Sequence, residues 1–226
     1  MTASLAVIMP VLDEAAGIST ALQALAPLRR RGVRVIVCDG GSSDGTAARA
    51  APWADRVIVA PAGRARQMNA GAAVADADVL LFLHADTTLP ADADQLVLAA
   101  LAEPGCHWGR FDVRIDGRSL LLPWVAALMN LRSRWTGIAT GDQAIFVRRA
   151  SFQALGGFPD QPLMEDVEIS RRLCRRHAPR CLRQRVTTSG RRWDQRGPWR
   201  TVFLMWRLRW LYWRGTSPEQ LARLYR

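Results

Sequence analysis

The sequence predicts an α/β domain built on a mostly parallel central sheet with helices on both faces. Two observations carry this. Short apolar runs alternate with segments of helical period through the first hundred residues, and turns rich in glycine and acid follow the apolar runs. Strict strand–helix alternation implies crossovers, hence parallel neighbours covered on both sides.

The elements follow in order. Leu5 to Met9 is a short apolar run, and Ile18, Leu22 and Leu25 then recur at helical spacing. Val33 to Cys38 reads as a second strand, closed by the turn Asp39-Gly40-Gly41-Ser42-Ser43-Asp44-Gly45, whose Ser and Asp are candidate helix caps. Arg56 to Val59 is a third strand, Gly63 to Ala75 a helix and Val79 to Leu83 a fourth strand. Pro90 is expected to open the next helix at a first-turn position. The second half breaks the rhythm. Gly109 to Ile115 alternates like an exposed strand and Ala144 to Val147 is another short one, with helices around Ser151–Leu155, Glu165–Arg176 and Trp199–Trp213. No linker or composition shift divides the chain, so residues 1–226 are expected to form one domain.

Composition narrows the class. Among 226 residues, 49% are hydrophobic and nine are Trp, which suits a packed globular core. No basic region followed by a long apolar core opens the sequence. The longest apolar stretch, Leu120 to Leu131, is too short to span a bilayer and contains Pro123 and Asn130. A cytoplasmic location is therefore expected. The four cysteines form no CxxC pair, and reduced thiols are expected there. The net charge of +11 is unevenly placed: residues 1–100 carry eight Arg and ten acids, residues 171–226 sixteen Arg and two acids. No Lys occurs, so every basic side chain is a guanidinium suited to bidentate contact with phosphate.

Ligands of open parallel sheets bind outside the carboxyl ends of the strands. Three front strands end there in polar groups: Pro10-Val11-Leu12-Asp13-Glu14, Asp39, and His84-Ala85-Asp86. One such cluster often merely caps a helix, but three at one edge point to a site. A dinucleotide site fits poorly, because the first turn lacks GxGxxG, and no Walker lysine exists. A nucleotidyltransferase would need a glycine-rich Lys/Arg triphosphate loop near the first strand, which is missing. Nucleic-acid binding would explain the Arg- and Trp-rich C-terminal third but leaves the front half without a purpose.

Taken together, these residues resemble glycosyltransferase family 2. Pro10 to Glu14 and Val35 to Thr46 look like its first two motifs, and Gly63-Arg64-Ala65-Arg66-Gln67-Met68-Asn69-Ala70-Gly71 like its third. Leu81 to Asp86 sits where the family carries its DxD metal motif. Leu155-Gly156-Gly157-Phe158-Pro159 with Glu165-Asp166 matches its acceptor-side signatures. The motifs cover roughly residues 4–175. The chain is also similar to a compact bacterial branch associated with radical-SAM and arsenosugar gene clusters.

The resemblance implies a GT-A fold, a nucleotide-sugar donor, a hydroxyl-bearing acceptor and inversion at the anomeric carbon. Residues 1–100 would bind the donor and residues 101–226 the acceptor. Asp39 would hydrogen-bond the base, with Pro10, Val11 and Glu14 lining a uridine-type pocket. Arg64 would lie near the diphosphate, Asp86 would hold Mg²⁺ or Mn²⁺, and Asp166 would take the acceptor's proton. Glu165 and Asp142 are further substrate-side candidates. The chain departs from the pattern twice: His84 replaces the first metal-motif carboxylate, and Gly40 replaces the second Asp after strand two. An imidazole there would bind ribose hydroxyl or metal without supplying negative charge. The Gln-x-x-Arg-Trp motif of processive members is replaced by Ser189-Gly190-Arg191-Arg192-Trp193, so transfer of one sugar is expected. In that segment Arg191 and Arg192 are candidates for phosphate, and Trp193 for a sugar face. The segment Trp199 to Arg214, dense in Trp and Arg, would suit an anionic membrane surface on its inner face and a lipid-linked acceptor; the competing expectation is a helix packed on the sheet or a second subunit.

Overall fold

The computed structural model describes residues 3–225. In chain order the strands are β1 (Leu5–Val11), β2 (Arg34–Asp39), β3 (Arg56–Val59), β4 (Val79–Phe82), β5 (Thr87–Thr88), β6 (Trp108–Asp116), β7 (Phe146–Arg148) and β8 (Arg180–Ser189). The front helices are α1 (Ile18–Gln23), α2 (Ala26–Arg30), α3 (Thr46–Ala50), α4 (Arg64–Val74) and α5 (Ala93–Ala102). Then come α6 (Leu122–Thr136), α7 (Arg149–Gln153), α8 (Glu165–Cys174), α9 (Arg191–Arg196), α10 (Pro198–Trp213) and α11 (Pro218–Tyr225). A 3₁₀ turn covers Gly141–Gln143.

The strands form one sheet in the order β3-β2-β1-β4-β7-β6-β8-β5. β1 to β4 are parallel, as the alternation requires, and β7 pairs antiparallel with both β4 and β6. The chain moves outward from β1 to β3 and then returns to the other side of β1 for β4. That reversal opens a crevice at the carboxyl ends of β1 and β4, where such sheets bind ligands. Successive residues of β1 point into different layers: Val7, Met9 and Val11 into one core, Ala6 and Ile8 into the other. All seven are buried, as in a sheet covered on both faces.

Two expectations need correcting. β6 is not simply an exposed strand: it lies between β7 and β8, and its polar residues Arg110 and Asp112 are buried while Arg114 and Asp116 face outward. Arg110 pairs with Asp112, Asp112 accepts from Arg134 of α6 at 2.7 Å, and Asn130 of α6 bonds the Val113 backbone at 2.8 Å and 3.0 Å. Arg110 and Asp112 thus belong to an internal ion-pair layer under α6. Pro90 does not open a helix; α5 begins at Ala93, and the Pro90 carbonyl accepts from the Ala93 amide in the preceding turn. The four cysteines are free, and burial pushes the Cys38 thiol up to about 12, leaving it inert.

Candidate active site

The first two motifs fold onto one another. Asp13, in the left-handed region at φ 52°, donates its amide to Ser42 Oγ at 2.9 Å and accepts from the Ser43 amide at 2.9 Å. The Glu14 amide donates to Thr46 Oγ1 and the Ala15 amide to Asp44. Behind them, buried Gln67 of α4 donates to the carbonyls of Val11 at 2.7 Å and Cys38 at 2.8 Å, pinning the ends of β1 and β2 together. A Cβ at residue 40 would sit 3.1 Å from the Gln67 carboxamide, so a side chain there would press on this clamp. Asp39 is buried at this junction, and its Oδ1 accepts from the amides of Gly41 and Ser42 at 2.9 and 2.7 Å. Pro10 and Val11 lie beneath it as the last residues of β1.

On the other side of the crevice stand His84 and Asp86, just past β4. His84 Nδ1 is 3.5 Å from Asp142, and its ring packs so close to Gly141 that a Cβ there would lie 2.3 Å from it. Burial works against charge on Asp142, but His84, Arg64 and Arg192 outweigh it and hold this carboxyl below its ordinary range. Glu14 is pushed above the usual glutamate value, first by burial and then by the nearby Asp86 and Asp44, against Arg191 and Arg64.

The arginine segment reaches this corner through the sheet. β8 pairs with β5 immediately after Asp86, and the Ser189 amide donates to the Asp86 carbonyl at 3.0 Å. Gly190 passes so tightly that a Cβ would meet the Asp116 carbonyl at 2.5 Å. Arg191 and Arg192 then begin α9. Arg192 is desolvated and set against Arg64 and Arg196, with Asp142 and Asp86 as its balancing acids, and its guanidinium lies 4.4 Å over the Tyr225 ring. Trp193 is half-buried and packs against the core.

The acceptor-side signatures meet on the opposite wall. Gly157, at φ 76°, leaves room for Asn69, which both donates to the Phe158 carbonyl and accepts its amide at 2.9 Å. Phe158 packs edge-to-face on Phe82 and Phe152 behind it. α8 then starts with Glu165, Asp166 and Glu168 in its first turn, where the dipole favours acids. Asp166 Oδ2 accepts from the Gly141 amide at 2.8 Å and Oδ1 from the Val167 amide at 2.7 Å, which fixes its carboxylate beside His84. Glu165 is buried and raised above the usual range, by desolvation and by Asp166. Together Met68, Phe82, His84, Ile145, Glu165 and Asp166 line a small cavity. Glu168 is committed to Arg171 and Arg172 at 2.9 Å each and to the Tyr212 hydroxyl.

Among the described residues no three His, Cys, Asp or Glu side chains gather into a metal-ligand cluster. Exposed Asp86, with Glu14 close enough to feel its charge, still fits a hard divalent cation. Such ions keep waters and take phosphate oxygens, needing one or two protein carboxylates.

Residues 6–151 match the family Glycosyl transferase family 2. The fold is similar to the mannosyltransferase PcManGT from Pyrobaculum calidifontis, solved with GDP-Man and Mn²⁺, at TM-score 0.66 and 21% identity, covering 92% of this chain and 61% of that one. It is similar to mannosyl-3-phosphoglycerate synthase from Rubrobacter xylanophilus (TM-score 0.61, 19% identity, 83% and 65% covered). It also resembles glucosyl-3-phosphoglycerate synthase from Mycobacterium tuberculosis, solved with Mn²⁺, UDP and glucosyl-3-phosphoglycerate (0.60, 18%, 83% and 70%). The chain thus spans under two thirds of the length of the first two structures. No curated protein matches it. With its family match covering well over half the sequence, the chain belongs to the family 2 glycosyltransferases.

Proposed function

We propose that this protein moves one sugar from a nucleoside-diphosphate sugar to an acceptor hydroxyl, with inversion. The observation that carries the reading is the crevice at the β1–β4 reversal, with a buried base-reading acid, Asp39, on one wall and a fixed carboxylate, Asp166, on the other. Asp39 and the ends of β1, with Pro10, Val11 and Glu14, receive the nucleoside. Arg64, Arg191 and Arg192 face the diphosphate, whose growing negative charge they offset as it leaves. Asp86, with Glu14 beside it, would hold Mg²⁺ or Mn²⁺, which neutralises phosphate charge when bound. His84 and Asp142 form the partition between donor and acceptor. Asp166 accepts the acceptor's proton as that oxygen bonds to the anomeric carbon and the carbon–phosphate-oxygen bond breaks. Glu168 is too heavily paired to compete for that role, and Glu165, too buried to ionise readily, shapes the pocket.

A second reading concerns location. Trp199, Phe203, Trp206, Trp210 and Trp213 form one exposed stripe on α10, and Trp124, Leu128, Leu131 and Trp135 another along α6, with Leu120 exposed in the turn before it. Interfacial aromatic rings flanked by guanidinium groups suit an anionic membrane surface and thereby a lipid-linked acceptor. The inner side of α10, with buried Thr201 and Leu208, packs on the protein itself. No described helix is long and apolar enough to cross a membrane.

The function is tested by incubation with a panel of nucleotide sugars, with and without Mn²⁺, following thermal shift and sugar release. One donor should raise Tm and be consumed. Asp166→Asn keeps that thermal shift but lowers turnover by roughly 10²-fold or more. No stabilisation by any nucleotide sugar, or turnover unchanged in the variant, contradicts the reading.

A further inference from the structure

Beyond the crevice, α9 and α10 enclose a cleft of about 460 Å³, lined by Arg192, Gln195 and Arg196 of α9 and by Arg200, Thr201 and Leu204 of α10. The spacing explains it. Residues 192, 195 and 196 share one face of α9, and Arg200 and Leu204 stand one turn apart on α10, which starts afresh after Gly197 at φ 81°. Among the described residues no Asp or Glu side chain lines this cleft. Asp194, the acid of α9, is engaged elsewhere: its carboxylate accepts from the Arg118 amide at 3.0 and 3.2 Å. Two of the three guanidinium groups are held in place by one residue of α11. Arg192 lies 4.4 Å over the Tyr225 ring, and Arg196 Nη1 donates to the Tyr225 carbonyl at 3.2 Å.

A volume of this size falls among small-molecule sites, which span about 300–1,000 Å³. Three guanidinium forks around one cleft match an oxyanion of more than one charge. The Gln195 carboxamide adds donors, the Thr201 hydroxyl is turned to the Gly197 carbonyl at 2.9 Å, and Leu204 supplies an apolar wall. Burial first, then Arg64 and Arg196, hold Arg192 below its ordinary range, so an anion between Arg192 and Arg196 relieves like-charge repulsion. The cleft is separate from the donor corner. Arg191 does not line it, and Arg196 lies about 6 Å further along α9 than Arg192, the wall that the two sites share. Alongside the donor of the glycosyl-transfer reading, we propose that this cleft binds a phosphate monoester, with Arg196 and Arg200 as the guanidinium groups that the donor does not use. The ester has two sources: a soluble one enters from solvent, and a lipid headgroup enters past Trp199 and Phe203, both exposed beside Arg200.

The test uses protein saturated with its nucleoside diphosphate and Mg²⁺ at constant ionic strength, so that the donor-side arginines are occupied. Inorganic phosphate should then raise Tm further. Arg196→Gln and Arg200→Gln should each weaken that response by about tenfold or more in phosphate concentration, while nucleoside-diphosphate binding stays at wild-type strength and reports an intact fold. Arg207→Gln removes the same charge from α10 outside the cleft and should leave the response unchanged. Glycerol 3-phosphate and vesicles containing phosphatidic acid separate the sources. An Arg200-dependent response to the former identifies a soluble ester, and one to the vesicles alone a lipid-borne ester. No phosphate response in the saturated wild type, or Arg200→Gln and Arg207→Gln acting alike, overturns the proposal. Failure of the nucleoside diphosphate to bind at all would instead refute the glycosyl-transfer reading, and the same comparison of variants in the free protein would still test the cleft.

Discussion

Glu165 and Asp166 are neighbours in sequence with opposite environments. Asp166 is held by two amides at the mouth of the cavity, while Glu165 is buried and pushed above the ordinary glutamate range by desolvation and by Asp166. A raised carboxyl gives its full stability below the unfolded-state pKa, and that stability is lost as pH rises through the folded-state value. Glu165→Gln cannot ionise and escapes that loss. Its Tm relative to wild type should therefore climb between pH 4 and pH 8, measured by calorimetry; a difference that is the same at both ends would show that Glu165 carries no such penalty. The Glu-Asp pair is legible in the sequence, but its division of labour is not, because burial depends on Phe82, Ile145 and Phe158 arriving from distant segments.

At the scale of elements, the front half is written plainly because the βα turns carry their own chemistry and the inner strands β1 and β4 are buried along their whole length. Gly71 of α4 is an example. A Cβ there would meet Cys38 Sγ and Ile8 Cγ2 at 2.5 Å each, so the motif glycine permits helix-on-sheet contact. Gly71→Ala should cost about 1–3 kcal/mol by overpacking, lowering Tm by about 2–4 °C per kcal/mol. An unchanged Tm in a scanning calorimeter would refute that packing account. The back half is less legible. β8 reads Arg-Cys-Leu-Arg-Gln-Arg-Val-Thr-Thr-Ser, without clean alternation, and exists because it pairs along β6 through a shift between Phe111 and Asp112. That pairing delivers Arg191 and Arg192 to the corner beside Asp86. The same layer misleads a reading of β6, whose Arg110 and Asp112 serve an internal ion-pair network.

For the whole molecule, charge and shape point the same way. Glu14, Asp39, Asp86, Asp142, Glu165 and Asp166 belong to the crevice, while the outer faces of α6 and α10 present aromatic and aliphatic side chains among arginines. Vesicles containing anionic lipid should co-sediment the protein at low salt, less at high salt and less again after Trp206→Ser and Trp210→Ser, since each Arg near such a surface adds about 1 kcal/mol. Protein left in the supernatant at low salt would assign these faces another partner. The central claim is that the crevice between β1 and β4 binds a nucleoside diphosphate through Asp39 and, with metal, through Asp86. Calorimetric titration of that ligand into wild type, Asp39→Asn and Asp86→Ala tests it directly. The carboxamide of the first variant keeps an oxygen for the Gly41 and Ser42 amides, so the turn survives while the acid is lost. Asp39→Asn should weaken binding with or without Mn²⁺, and Asp86→Ala should remove only the gain that Mn²⁺ brings; equal affinities in all three proteins would contradict the site.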